Sequence, residues 1–175
     1  MRRLSMMLVG SLAVVLAFVD AVDAEENHPQ QSTTFTVQAI GSVHKAEGNT
    51  RIVLDAKHAP GLLGLEGYSH IYVFWWFSKN DTPHKRAVLQ VHPMGNRDNP
   101  VTGVFATRSP MRPNLIATTL CKVVSVKKNI VEVEGIDAFD GTPVLDIKPF
   151  IPGYDSTSDA RLPDWLVKAR KQRQL

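Results

Sequence analysis

The feature of this sequence that most constrains its fold is a succession of short strand-like segments separated by turn residues, at intervals of about 8 to 12 residues. Residues 35–39 alternate apolar and polar side chains and predict a half-buried strand, and Gly41 then indicates a bulge or a close backbone approach. Further strands are predicted at residues 51–54, 69–77, 87–91, 103–107, 119–127, 130–134 and 144–147. Helical character is confined to residues 163–174. The pattern therefore predicts a mainly all-β protein, either a closed barrel or a sandwich.

The strongest strand prediction is the run of β-prone residues from 71 to 77, Ile-Tyr-Val-Phe-Trp-Trp-Phe. A strand that is apolar on both sides is buried on both faces of its sheet, or its aromatic side chains line a pocket or a contact between subunits. The sequence favours the buried core for this run. It leaves open whether Trp75 and Trp76 face the core, a partner or a ligand.

Residues 103–114, Gly-Val-Phe-Ala-Thr-Arg-Ser-Pro-Met-Arg-Pro-Asn, contain the most unusual local chemistry. Pro110 and Pro113 each fix their own φ angle and push the preceding residue into an extended conformation. In a polyproline-like path of about three residues per turn, Ser109 and Arg112 are predicted to point to similar sides. Because a guanidinium offers a planar fork of donors, this stiff segment, the arginine ledge (residues 108–114), suits an anionic or polar ligand. The alternative is a proline-rich surface loop with solvated arginines.

A second candidate pair stands near the end of the predicted strands. Asp146 and Lys148 lie two positions apart on one strand and therefore share a face. An acid and a base on one face can bind a zwitterion or a ribose, or they can pair with each other on the surface. The bare sequence favours the surface pair.

The first 24 residues have the layout of a secretory signal peptide. Arg2 and Arg3 precede an apolar, uncharged run at residues 6–19, and Val22 and Ala24 occupy the −3 and −1 positions of a cleavage site. The run is shorter than the roughly 20 residues of a membrane span, so no stable membrane anchor is expected after cleavage. We therefore expect an exported protein, periplasmic or secreted, with a flexible arm at residues 25–34. An error in the start site would instead make the protein cytoplasmic.

Composition and short motifs argue against several function classes. A net charge of +3 is too small to indicate nucleic-acid binding by itself, since such proteins usually show a marked basic face. Cys121 is the single cysteine, so no intrachain disulfide can form, and its apolar surroundings predict a small buried hydrophobe. The six histidines form no paired ligand motif, and no metal site is expected. Neither a dinucleotide-binding glycine motif nor a phosphate-binding loop is present.

Several segments together resemble the TsaA-like (TrmO-type) family. The two most specific motifs are residues 103–114, quoted above, and residues 140–149, Asp-Gly-Thr-Pro-Val-Leu-Asp-Ile-Lys-Pro. Shorter matches are residues 40–43, Ile-Gly-Ser-Val, residues 65–70, Leu-Glu-Gly-Tyr-Ser-His, and the pair His92 and Pro93. The resemblance places the family domain at residues 35–155 and leaves residues 156–175 as a C-terminal tail with a helix.

The resemblance implies a single-sheeted β-barrel that binds S-adenosyl-L-methionine and is often dimeric, to which the sequence pattern adds the short C-terminal helix. In the tRNA enzymes of the family, the methyl group goes to N6 of threonylcarbamoyl-adenosine beside the anticodon, so tRNA and a second copy of the chain are the implied partners. The residues implied at the cofactor are Arg108, Ser109, Arg112, Leu145, Asp146, Lys148 and Pro149. The residues implied at the substrate are His92, Pro113 and Asn114. No catalytic residue is assigned.

Three features depart from the family pattern. Leu115 and Ala117 stand where proline and glycine are usual, and this change is expected to narrow or reshape the site beside the ledge. Phe150 stands where tyrosine is common, so one hydroxyl is missing. The leader directs the chain away from tRNA and from cytoplasmic S-adenosylmethionine. Two hypotheses follow: a tRNA methyltransferase, or an exported, non-catalytic binding module that kept the barrel and its ligand pocket.

Overall fold

The structure is a computed structural model that describes residues 33–46 and 48–173. The chain divides into two units, Met1–Phe35 and Thr36–Leu175. Within the first unit only residues 33–35 are described, and they are exposed and form no regular secondary structure. The predicted signal peptide at residues 1–24 and the arm as far as residue 32 lie outside the described residues, so both stay predictions.

Six antiparallel strands of the second unit close into a barrel in the order β1-β2-β7-β6-β3-β8. Two further, very short strands, β4 and β5, pair only with each other. The strands are β1 (Gly41–Ala46), β2 (Asn49–Leu54), β3 (His70–Trp76), β4 (Gln90–Val91), β5 (Thr102–Gly103), β6 (Ile116–Lys127), β7 (Ile130–Glu134) and β8 (Pro143–Pro149). The prediction of a mainly all-β barrel is thereby confirmed.

The α-helices of the described residues are short. They are α1 (Pro83–Arg86), α2 (Pro152–Asp155) and α3 (Asp164–Arg173). The last of these is the predicted C-terminal helix. In residues 33–46 and 48–173, no helix has both the length and the apolar character needed to cross a membrane.

Gly41 lies at the seam where the barrel closes. It pairs with Leu54 of β2 on one side and with Val144 of β8 on the other. A Cβ atom at this position would lie 2.2 Å from the carbonyl oxygen of Val53, so a larger residue would force the strands apart. The close backbone approach predicted from this glycine is confirmed.

The barrel interior is filled by the inward side chains of alternating strand positions. In β3, Ile71, Val73 and Trp75 are buried, whereas Tyr72 and Phe74 on the outer face are half-buried. The aromatic run therefore supplies core on one face only. Its outer face remains partly open to solvent, and its C-terminal end borders the cleft described below.

Two predicted strands are wrong, because strand formation needs a partner as well as a pattern. Residues 35–39 are exposed coil, since pairing with β2 and β8 begins only at Gly41. At residues 103–107 only Gly103 belongs to a strand, and Val104–Ala106 form a 3-10 turn. That turn is anchored by the buried Val104, whose carbonyl accepts a hydrogen bond from Thr107 Oγ1 at 3.0 Å. The strand predicted at residues 87–91 shrinks to β4.

Candidate functional site

The arginine ledge is held in shape by hydrogen bonds from its own side chains. Thr107 Oγ1 accepts from the Ser109 amide at 3.2 Å, and Ser109 Oγ accepts from the Met111 amide at 3.2 Å. Arg112 Nη1 donates back to the carbonyl oxygens of Thr107 and Ser109, at 3.4 and 3.5 Å. Side-chain bonds of this kind let a segment keep a defined shape without a strand partner. In contrast, the Arg108 side chain has no hydrogen bond or ion pair with any described residue.

An ion pair outside the ledge fixes its far end. Arg86, at the end of α1, donates from Nε to Asp81 Oδ1 at 2.8 Å and from Nη1 to the Pro113 carbonyl at 2.9 Å. Trp76 Nε1 donates to the other oxygen of Asp81 at 3.1 Å, and the Arg86 guanidinium lies 5.2 Å from the centre of the Trp76 ring. Hydrogen bonds from Arg86 and Trp76 lower the pKa of Asp81, and the bond to Asp81 raises the pKa of Arg86. This cluster links the ledge to the end of β3.

One side of the ledge forms a wall of a cleft of about 660 Å³, which we call the smaller cleft. Arg108, Pro110 and Arg112 line it, at a spacing of two residues that is typical of an extended chain. Ser109 instead lines the opposite side of the ledge. The prediction that Ser109 and Arg112 share a side is therefore wrong. The hydrogen-bonded turns at Ser109 and Arg112 replace the expected polyproline-like path of about three residues per turn.

The rest of the smaller cleft is a mixture of aromatic faces and a polar network at one end of the barrel. Trp75 Nε1 donates to Thr119 Oγ1 at 3.0 Å, and Thr119 Oγ1 donates to Asp137 Oδ1 at 3.4 Å. Lys79 Nζ lies 3.6 Å from the centre of the Phe139 ring. The remaining lining residues include Trp76, Phe77, Ser78, Asn80, Ile116, Ala117, Thr118 and Thr142. The cleft thus combines flat apolar surfaces with guanidinium groups and one carboxylate.

Asp137 is a cleft residue that the sequence reasoning missed. The sequence does contain a signal, because Asp137 stands between two apolar residues, Ile136 and Ala138. Both of these are buried in the structure. An acidic residue between two core positions follows β7 directly, at an end of the barrel. Only the fold shows that this end is also the one beneath the ledge.

The second motif lies on the outer face of β8. Asp146 and Lys148 are opposite Phe74 and Tyr72 of β3, and Lys148 Nζ is 2.9 Å from Asp146 Oδ2 in an exposed ion pair. A register shift between Val144 and Asp146, in which Leu145 is the extra residue, turns Asp146 outward. Leu145, Asp146, Lys148 and Pro149 line neither cleft. Surface pairing, which the bare sequence favours, is the arrangement observed.

The side of the ledge that carries Ser109 borders a larger cleft of about 1010 Å³. His92 lines it and Nδ1 lies 2.8 Å from the Asn99 carbonyl oxygen, so Nδ1 carries the proton in this bond because a carbonyl can only accept. Pro113 uses its carbonyl to bind Arg86, and Asn114 is exposed. The three residues implied at the substrate therefore do not share a cleft in one chain.

The two positions that depart from the family pattern lie in the barrel. Leu115 is fully buried, and its carbonyl accepts from the Phe77 amide at 2.9 Å. Ala117 is buried at the floor of the smaller cleft, where its methyl group occupies space. Both changes are compatible with an intact barrel beneath the ledge.

Cys121 and the metal-ligating residue types do not contribute a site. The Cys121 side chain is buried in the core, and burial raises the pKa of its thiol to about 12. A thiol with that pKa stays protonated near neutral pH and is a poor nucleophile. No group of three or more His, Cys, Asp or Glu side chains within residues 33–46 and 48–173 is arranged to hold a metal ion.

Comparisons with known proteins agree with this geometry. A probable S-adenosyl-L-methionine-binding protein of Methanocaldococcus jannaschii is 41% identical over 121 residues, 69% of this chain and 96% of the relative. One from Pyrococcus horikoshii is 45% identical over 121 residues, 69% of this chain and 86% of the relative. The tRNA (adenine(37)-N6)-methyltransferase of Mus musculus is 41% identical over 114 residues, 65% of this chain but only 26% of the mouse protein.

Among solved structures, TrmO from Pseudomonas aeruginosa superposes with a TM-score of 0.60 and 28% identity, covering 75% of this chain. The match spans 62% of the length of that TrmO chain, less than two thirds of it. Residues 21–156 match the tRNA-methyltransferase O N-terminal domain family, which includes the whole barrel and both specific motifs. This chain belongs to the tRNA-methyltransferase O N-terminal domain family.

Proposed function

We propose that the protein is an S-adenosyl-L-methionine-dependent methyltransferase that modifies N6 of adenine in tRNA. The observation that carries the proposal is the smaller cleft, where the family's most specific motif places Arg108 and Arg112 opposite aromatic faces and Asp137. Relatives that are 41% identical to this chain over 121 and 114 residues are named as a probable S-adenosyl-L-methionine-binding protein and as a tRNA (adenine(37)-N6)-methyltransferase.

The donor set of the smaller cleft fits S-adenosylmethionine. Guanidinium groups suit the carboxylate of the methionine moiety, and Arg108 has no described partner that would compete for it. The Asp137 carboxylate, which lines the same cleft, favours a cationic sulfonium. A volume of about 660 Å³ lies within the usual range for small-molecule sites.

When bound, the cofactor supplies an electrophilic methyl group on its sulfonium. The contribution of this chain is to bind, orient and desolvate the reacting groups. Methyl transfer between two held partners gains mainly from such positioning. A ledge kept rigid by its own hydrogen bonds, and anchored by Arg86 to β3, serves that purpose.

The finer substrate assignment is threonylcarbamoyl-adenosine beside the anticodon, carried by the family resemblance. The test is transfer of a labelled methyl group to tRNA that carries threonylcarbamoyl-adenosine but lacks its methyl group, with tRNA free of the threonylcarbamoyl group as the control. Transfer to the first tRNA alone supports the assignment. Equal transfer to both, or to neither, contradicts it.

We also propose that the active form is a homodimer that brings the second motif of one copy to the cleft of the other. Asp146 lines neither cleft of its own chain, so a second copy is what would bring an Asp146 side chain to one of them. The outer face of β6 exposes Ile116 and Leu120, an apolar surface suited to a partner. Sedimentation velocity at several concentrations tests this, and a monomer throughout would contradict it.

A second candidate function is an exported binding protein without catalysis, favoured by the leader-like sequence at residues 1–24 and by Leu115 and Ala117. The discriminating measurement is the mass of the mature N-terminus after fractionation of the native cell. A chain that begins at Glu25 outside the cytoplasm favours the exported module. A chain that begins at Met1 in the cytoplasm favours the tRNA methyltransferase.

A further inference from the structure

The larger cleft is built in part by a segment that lies outside the family match. The family match ends at residue 156, whereas α3 begins at Asp164. Trp165 and Leu166 of α3 are half-buried, and together with Leu162 and Arg170 they form the wall that faces the ledge. The larger cleft therefore lies between the family's most specific motif and a helix outside the family match.

The chemistry of the larger cleft differs from that of the smaller one. Its apolar surfaces come from Met94, Phe105, Met111, Leu162, Trp165 and Leu166. Its charged lining residues are Arg108 and Arg170, and none of its lining residues is acidic. The smaller cleft, in contrast, contains Asp137. The larger cleft therefore favours a ligand with a flat apolar part and a negative charge.

A nucleotide in a single-stranded RNA has this combination. Its base stacks on aromatic and apolar side chains, and its phosphate pairs with guanidinium groups. Arg108 and Pro110 line both clefts, so a nucleotide held in the larger one would lie directly across the ledge from the proposed methyl donor.

We propose that the larger cleft binds a nucleotide of single-stranded RNA, with Trp165 as a stacking surface and Arg170 as a phosphate ligand. The proposal rests on the proposed function, because it identifies where the RNA substrate of that function is held. It assigns to α3 a role in substrate binding that the family barrel alone does not provide.

The experiment measures the affinity of the full chain for a fluorescein-labelled, adenine-containing single-stranded RNA octamer by fluorescence anisotropy at low salt. Arg170→Gln is compared with Lys171→Gln, which removes the same charge from α3 at a position that lines neither cleft. We expect Arg170→Gln to weaken binding about 5-fold or more and Lys171→Gln by less than about 2-fold, since only a held phosphate contact gives a site-specific loss.

Trp165→Ala is expected to weaken binding by about 5- to 100-fold, the range for loss of one base-stacking contact, and Trp165→Phe by less. Circular dichroism shows whether Trp165→Ala keeps α3. If Trp165→Ala loses α3, the RNA affinities of Trp165→Phe and Arg170→Gln test the proposal instead. Equal losses for Arg170→Gln and Lys171→Gln, or tighter binding to a duplex of the same sequence, would overturn the proposal.

Calorimetric titration with S-adenosylmethionine separates this proposal from the proposed function. We expect Arg170→Gln and Trp165→Ala to bind it as the unmodified chain does, because neither residue lines the smaller cleft. An unmodified chain that binds the RNA with the stated pattern but not S-adenosylmethionine would refute the proposed function and support the RNA site. One that binds S-adenosylmethionine but not the RNA would refute the RNA site alone.

Discussion

The arginine ledge and the Asp146 segment of β8 carry the two most specific family motifs, but they are held in place in different ways. The ledge has no strand partner and depends on side-chain hydrogen bonds and on Arg86 for its shape. Asp146 and Lys148 lie on a strand that is paired with β3, and their side chains pair with each other on its outer face. The ledge borders two clefts, whereas Asp146 and Lys148 border neither, and Thr142 is the residue of the second motif that lines the smaller cleft.

Matching a family motif and assembling a binding site are therefore separate properties of a chain. A strand fixes where its side chains point, so Asp146 cannot turn toward the ledge within one chain. An irregular segment can present side chains on both of its sides: Ser109 borders the larger cleft, Arg112 borders the smaller one, and Arg108 borders both. We therefore expect the ledge to act within one subunit and the second motif to act across two.

The largest expected effect is on the ledge. Arg108→Ala should weaken S-adenosylmethionine binding by about 10- to 100-fold, because hydrogen bonds to a charged group contribute about 1.5 to 3 kcal/mol. The melting temperature should stay nearly unchanged, since Arg108 is exposed and has no bond to a described residue. Isothermal titration calorimetry and thermal unfolding measure the two quantities.

The matched control for that variant is Arg51→Ala. Arg51 is exposed on β2, which lies opposite β3 in the barrel order. We expect it to bind S-adenosylmethionine as the unmodified chain does. Equal affinity losses for the two arginine variants would show a general charge effect and would remove the site from the ledge.

Asp146→Ala tests the second motif and should weaken S-adenosylmethionine binding about 10-fold in the dimer, through loss of a charged contact. Its effect on stability should be about 1 kcal/mol or less, because the pair with Lys148 is exposed. Calorimetry and sedimentation velocity on the same samples measure affinity and association. An unchanged affinity in a dimeric sample would reduce this motif to a surface ion pair.

Arg86→Ala should loosen the ledge. We expect a fall of a few degrees in the melting temperature and a roughly 5-fold loss of S-adenosylmethionine affinity, because a mobile segment must be ordered on binding. We expect the melting temperature and the affinity of Arg86→Lys to lie between those of the unmodified chain and those of Arg86→Ala. A lysine can pair with Asp81, but it cannot also bind the Pro113 carbonyl and stack on Trp76 as a guanidinium does. An unchanged melting temperature and an unchanged affinity in Arg86→Ala would mean that the ledge holds its shape without Arg86.

The smallest expected effect is the pH dependence of the same anchor. The pKa of Asp81 is lowered in the folded protein from its ordinary value of 3.8, so its pairing stabilises the fold above that value and is lost as the pH falls through the lowered pKa. The difference in melting temperature between the unmodified chain and Asp81→Asn should be constant above about pH 5 and shrink in stronger acid. A difference that does not change with pH would contradict the ionic origin of the anchor.

Sequence reasoning succeeded where structure follows a local pattern. The strands β2, β3, β7 and β8 coincide closely with predicted segments, because alternation and runs of β-prone residues are properties of neighbouring residues. It failed at residues 35–39, where the pattern exists without a partner strand, and at Val104, where burial of one side chain favours a turn. The ledge was identified from its prolines and arginines, but the direction of Ser109 was not.

The short strands, the close approach at Gly41 and the stiff arginine segment could be predicted from the sequence, which also favoured the pairing of Asp146 with Lys148, because each depends on residues close together in the chain or on one residue's geometry. Only the tertiary structure decided that Asp137 lies beneath the ledge, that Arg86 anchors it from 27 residues away and that α3 forms a second cleft against it. These relations arise when a closed barrel brings distant segments to one end, and no local pattern encodes that closure.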